Sequence, residues 1–147
     1  MSIQKINNTD FTKKSINKAW NLLKSNSGKK AELILLKIYK KNPKDFNILI
    51  NLGAFYLNLK KNDLAINFLE KAKNINPSIE QTHFYLGISF TNILNFDQAI
   101  NCYKNVLKIN PKSIHANLNI GNIFKIKDDY KNAILHYEKV LILDPQN

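Results

Sequence analysis

Arginine is absent from this chain of 147 residues; all 22 basic side chains are lysine. Against 11 acidic residues the formal charge is +11, a balance that by itself suggests nucleic acid or an anionic surface as partner. The missing arginine argues the other way, because its guanidinium fork is the preferred bidentate reader of phosphate and guanine. Lysine, asparagine and isoleucine are abundant together, as in a composition bias spread over a whole genome. The lysines therefore read as a solvated coat, and nucleic acid and anionic membrane are set aside as partners. Cysteine is nearly missing too. Cys102 stands alone, so no intrachain disulfide can form and a reducing compartment is allowed; a cytoplasmic location is the expectation. No stretch approaches the roughly 18 uninterrupted apolar residues of a membrane span. Met1–Asp10 has no apolar run of the kind a secretory leader needs, so none is expected. With 44% hydrophobic and 22% charged residues, disorder is excluded as well.

The usual constellations of catalysis are also missing. There are no paired carboxylates, no nucleophile elbow, no phosphate-binding loop and no cluster with metal-ligand spacing. Cys102 and His136 fall 34 residues apart, but their column otherwise holds Ile34 and Phe68, which marks a tolerant helix position. His83 and His115 lie on different columns without an evident acidic partner. The chain is expected to be no enzyme by itself and to need neither cofactor nor metal.

What the chain does have is a period. Pro43, Pro77, Pro111 and Pro145, all four prolines of the chain, recur every 34 residues. Gly53, Gly87 and Gly121 keep the same phase, as do Ala31, Ala65, Ala99 and Ala133. Small residues, glycine and proline in one register mark a helical repeat array. Within each period two helices are expected. They fall at Phe11–Lys24 with Lys29–Lys41, Phe46–Leu59 with Asp63–Ile75, Ile79–Ile93 with Asp97–Ile109, and Ile114–Lys127 with Tyr130–Leu143, since apolar residues follow helical spacing there. Each Asn-Pro or Asp-Pro stops a second helix. Ser25-Asn26-Ser27-Gly28 is the clearest breaker, while Lys61-Asn62, Asn95 and Asp128-Asp129 supply turns or caps. Met1–Asp10 is expected to fray, with Thr9, Asp10 or Thr12 capping the helix that follows.

The residues in phase resemble one family. Leu118, Ile120-Gly121, Phe124, Ala133, Tyr137 and Pro145 repeat as Phe84, Leu86-Gly87, Phe90, Ala99, Tyr103 and Pro111. They repeat again as Ile50, Leu52-Gly53, Tyr56, Ala65, Leu69 and Pro77. This is similar to the tetratricopeptide repeat, a 34-residue helix–turn–helix unit. The resemblance implies an all-α solenoid of about four stacked repeats in a right-handed superhelix. The expected divisions are an N-terminal tail over 1–11, a degenerate repeat over 12–45, where Lys18-Ala19 replaces the Leu-Gly pair, and repeats over 46–79, 80–113 and 114–147. The glycines and alanines let helix axes approach to about 8–10 Å, and Tyr56, Phe90, Phe124, Tyr103 and Tyr137 are expected to be core.

The resemblance also implies where a partner sits. In the family the first helix of each pair lines a concave groove that takes a peptide or a helix. Four columns of that face are Ile16, Ile50, Phe84, Leu118; Trp20, Ala54, Ile88, Asn122; Leu23, Leu57, Thr91, Lys125; and the flanking Lys13, Asn47, Gln81, His115. The groove is thus apolar at its N-terminal end and more polar beyond, as a site for a partner segment would be. Asn17, Asn51, Tyr85 and Asn119 resemble the asparagine ladder of the superhelical arm of O-linked N-acetylglucosamine transferases, where amides both donate to and accept from a peptide backbone. The family's clamp for acidic chaperone tails is disfavoured. Its places hold Ile50, Ala54, Tyr85, His115 and Asn119, or one repeat earlier Ile16, Trp20, Asn51, Gln81 and Tyr85, and neither set is cationic. Tyr137, Val140, Leu141 and Leu143 end the chain without a solvating helix, so either a longer protein or self-association through that helix is expected. A protein-interaction scaffold without catalysis is the leading expectation, and the substrate-recruiting arm of a larger enzyme such as a transferase is the alternative.

Overall fold

A computed structural model describes the backbone of residues 3–145 and the side chains of residues 11–145; Met1, Ser2, Gln146 and Asn147 lie outside it. Among the described residues there are eight helices and no strand. They are α1 (Ile3–Lys24), α2 (Gly28–Lys41), α3 (Phe46–Asn58), α4 (Asn62–Ile75), α5 (Glu80–Asn92), α6 (Phe96–Ile109), α7 (Ile114–Ile126) and α8 (Tyr130–Leu143). Each odd helix packs on the next even one. Each even helix then meets the odd helix that follows, and α3 touches α5. The pairs stack in series, as a solenoid requires.

From α3 onward the boundaries fall within one residue of those read from periodicity. One reading nearer the start needs correction. Helix α1 begins at Ile3 instead of Phe11, because no glycine or proline interrupts the stretch before Phe11, so Thr9, Asp10 and Thr12 lie inside the helix and not at its start. The stretch Ser25-Asn26-Ser27-Gly28 does separate α1 from α2, with Gly28 as the first residue of α2. The break is made at Asn26, whose φ is 59°.

That residue is the first of a set. Asn26, Lys60, Leu94 and Asp128 are spaced 34 apart and all have φ between 57° and 60°. At each, the chain closes the preceding helix in the same way. In the third pair, Leu94 N–H donates to Thr91 O (3.0 Å) and Asn95 N–H to Phe90 O (2.9 Å), the two bonds of a left-handed helix terminus that satisfy orphan carbonyls. Capping side chains begin several helices: Asp45 Oδ1 accepts from Asn47 N–H at 2.9 Å, Asn95 Oδ1 from Gln98 N–H at 3.3 Å, and Asp129 Oδ1 from Asn132 N–H at 3.2 Å.

The core is built from the residues in phase. Ala19, Ala31, Leu35, Ile48, Leu49, Leu52, Phe55, Ala65, Leu69, Leu86, Ala99, Tyr103 and Ile120 are all buried. Tyr56 is buried and its ring stacks on Phe68 with centroids 5.6 Å apart. Phe90, Phe124 and Tyr137 are half-buried. The glycine positions are crossing points. A Cβ on Gly87 would stand 2.5 Å from Tyr103 Cε1, so the tyrosine ring occupies the space that any other residue would fill.

Candidate functional site

At the N-terminal end, α1, α3 and the end of α2 enclose a groove of about 740 Å³. Its walls include Ile16, Asn17 and Trp20 from α1 and Asn47 and Asn51 from α3. Trp20 is fixed within it. Its Nε1–H donates to Asn51 Oδ1 at 2.9 Å, and Asn51 Nδ2–H donates in turn to the Asn47 carbonyl, also at 2.9 Å. The indole thus joins the first two helix pairs and keeps an exposed flank toward the groove. The lining is mixed: Phe11, Ile16, Trp20 and Ile38 are set among polar and charged side chains, so the groove offers both apolar area and groups that can pair with a segment's backbone.

Further along, the members of the second set cluster differently. Gln81 Nε2–H donates to Tyr85 Oη at 3.0 Å. The Phe84 ring lies 6.3 Å from that of Tyr85, 6.0 Å from Tyr103 and 6.2 Å from His115. Tyr137 Oη–H donates to Asn122 Oδ1 at 2.9 Å. Ala54, Ile88, Leu118 and Asn119 are half-buried along the same helices. Ile50 differs from the rest: at 6% exposed it belongs to the core, so its side chain is spent between helices instead of on the groove. Gln81, Phe84, Tyr85, His115, Leu118, Asn119 and Asn122 do not line the 740 Å³ groove. The asparagine ladder is unequal as well. Asn51 already uses its acceptor and one donor inside the chain. Among the described residues, Asn17 and Asn119 make no side-chain hydrogen bond, so their amides remain free to pair.

Reading only the first helices of each pair missed part of the wall. Ile38, Lys41 and Asn42 from the end of α2, with Phe11 and Asp45, complete it. The signal was available in the period, since the residues before each proline must fold back beside the next first helix.

Cys102 is buried, and His136 and His83 each have a hydrogen-bond partner within the chain. Burial pushes the Cys102 thiol up to about 11, so at neutral pH it is a protonated, poorly nucleophilic thiol. His136 Nδ1 lies 3.0 Å from Asn117 Oδ1 and its ring stacks on Phe124, centroids 5.9 Å apart. Burial, with Lys139 and Lys104 nearby, lowers its pKa, which keeps the imidazole neutral. His83 Nε2 lies 2.7 Å from the Pro77 carbonyl. No group of His, Cys, Asp and Glu among the described residues is arranged to hold a metal ion, and no helix there is long and apolar enough to cross a membrane.

Sequence models described as tetratricopeptide repeat match residues 46–79, 81–113 and 114–147, well over half of the chain. The chain belongs to the tetratricopeptide repeat family. That family membership places it among scaffolds of protein–protein interaction. Solved structures agree on the fold. The crystal structure of MamA superposes with a TM-score of 0.83 at 19% identity, over 92% of this chain and 79% of that one. MamA from Desulfovibrio magneticus RS-1 gives 0.83 at 22% identity, over 92% and 77%. A further MamA structure gives 0.80 at 23%, over 90% and 76%. No curated protein matches the chain in sequence. The family match leaves out residues 1–45, yet α1 and α2 continue the same stack.

Proposed function

We propose that the chain is a non-catalytic scaffold that seats an extended or helical segment of a partner protein against its first helices. The observation that carries this reading is the N-terminal groove of about 740 Å³, in which Asn51 locks the single tryptophan in place. A fixed aromatic beside free amides is what a segment-binding surface needs: the ring offers area at low entropic cost, and Asn17 pairs with the segment's backbone. Phe84, Tyr85, Leu118, Asn119 and Asn122 extend the seat along α5 and α7.

Affinity purification tests this directly. A partner captured by the native chain should be lost with Trp20→Ala and weakened by the Phe84→Ala, Leu118→Ala double variant. The same partner, titrated into the native chain, should shift the emission of Trp20. A partner retained at native levels by both variants, with unchanged emission, overturns the reading.

A further inference from the structure

Charge is not spread evenly over the chain. Residues 1–44 contain 11 of the 22 lysines and two of the 11 acids, a net +9, which leaves +2 for the remaining 103 residues. Nearly all the excess thus sits on the first helix pair. A strong charge asymmetry of this kind marks an interaction surface.

The lysines of that pair are also ordered. A trough of about 470 Å³ runs between α1 and α2. Lys14 and Lys18 form one rim and Lys37 and Lys41 the other, each pair four residues apart and so one helical turn, about 6 Å, along its helix. Phe11, Ile34 and Ile38 are the apolar lining, with Phe11 59% exposed and Ile38 only 8% exposed. Lys41 Nζ lies 5.7 Å from the Phe11 ring centroid, which binds the rim to the floor. The period shows that these lysines replace something. Lys14 and Lys18 stand 34 residues before Ile48 and Leu52, which are buried. A solvating end would need only polar residues there; it would not need cations of one sign along both edges of an apolar slot.

We propose that this trough, which shares Phe11, Ile38 and Lys41 with the edge of the N-terminal groove, is a second docking site, for an acidic amphipathic helix of a partner protein. The partner's apolar stripe lies on Phe11, Ile34 and Ile38, and its carboxylates, spaced one turn apart on either flank, meet the two lysine rims at their own pitch. A flat anionic bilayer would reach the rims but not the recessed Ile38. Nucleic acid would use the charge and leave the apolar floor empty, with no arginine fork to read it.

The test uses the full chain and a fluorescent synthetic helix of about 18 residues carrying leucines on one face, flanked by glutamates. Anisotropy should show saturable binding. Lys14→Glu with Lys18→Glu should weaken it by about tenfold or more, whereas Lys104→Glu with Lys131→Glu, the same change of charge on the exposed faces of α6 and α8, should change it by less than about threefold. A peptide with serine for leucine should bind about tenfold more weakly. The Phe84→Ala, Leu118→Ala variant should bind normally, which keeps this site distinct from the seat along α5 and α7, and circular dichroism should show native helicity throughout. Equal losses from the two lysine pairs, no binding of the leucine peptide, or stronger binding to phosphatidylserine vesicles or single-stranded DNA than to the peptide would each overturn the proposal.

Discussion

Lys18 in α1 and Leu52 in α3 occupy the same place in successive helix pairs, yet the lysine is exposed and the leucine wholly buried. The contrast recurs throughout. Ala19 stands where Gly53 does, Leu22 where Tyr56 does, and Leu35 where Leu69 and Tyr103 do. The first pair therefore keeps the backbone path of the repeat while departing from its side-chain pattern, whereas the later pairs keep a glycine at each crossing with a large residue against it, Leu69, Tyr103 or Tyr137. A solenoid permits this because each pair is stabilised only through its neighbours. Among the described residues no further helix pair packs on the outer face of α1 and α2, so no such pair fixes the side chains there.

The largest effect should come from removing a stacking residue. Leu52→Ala empties a site with no exposure and is expected to cost about 3 kcal/mol. Lys18→Ala, at the matching place, should stay within about 0.5 kcal/mol. Urea unfolding followed by circular dichroism measures both. Similar costs at the two positions would mean that the first pair is stacked on something in solution.

Alkaline pH should single out the later pairs next. Burial, aided by the hydrogen bond to Glu32, pushes Tyr56 up to about 12, and burial does the same for Tyr103. The ordinary phenol titrates near 10. Because the folded values are the higher ones, this contribution is complete below about pH 10 and is lost as pH climbs toward 12, by up to about 3 kcal/mol for each ring. Stability at about pH 9 and about pH 11.5 should therefore differ less in Tyr103→Phe than in the native chain. The first pair has Leu22 and Leu35 at these places and should add nothing to the difference.

Much of this architecture was legible because each structural demand repeats. Four prolines in phase placed the ends of the second helices, and the glycines and alanines placed the crossings. Features that the period does not encode were harder to see. The early start of α1 needs no signal, only the absence of a breaker. Within the breaker Ser25-Asn26-Ser27-Gly28, spacing alone does not say that Asn26, two residues before Gly28, takes the positive φ that a glycine ordinarily would. In the groove, Trp20, Asn17 and Asn51 followed from their column. The bond that ties Trp20 to Asn51 depends on side-chain rotamers, and the burial of Ile50 on how far α3 rotates toward its neighbours; neither is a matter of spacing.

A smaller contrast lies at the crossings. Gly87→Ala puts a Cβ within 2.5 Å of Tyr103, a ring that is itself buried. The overpacking outweighs the gain in helix propensity, for a net loss of about 1–2 kcal/mol. In the first pair the matching residue is already an alanine, Ala19, so Ala19→Gly should cost at least about 1 kcal/mol, from helix propensity together with the loss of a buried methyl. Thermal unfolding of the two variants reads the difference. A neutral Gly87→Ala would show that Tyr103 has somewhere else to go.

The smallest expected effect runs in the opposite direction and concerns the helix ends. Asn26 and Leu94 adopt nearly the same left-handed conformation, with φ of 59° and 60°. Asparagine takes it readily, since its short amide bonds locally, whereas leucine pays for a Cβ crowded against the following carbonyl. Leu94 is 72% exposed, so little packing is lost when its side chain goes. Leu94→Gly should therefore raise stability by about 1 kcal/mol despite the added freedom of the unfolded chain. Asn26→Gly should change it by only a few tenths. Urea midpoints for the two variants settle the matter: equal shifts would mean that the left-handed residue is not what limits either terminus, and a loss at Leu94 would mean that its exposed side chain holds a contact beyond its own helix pair.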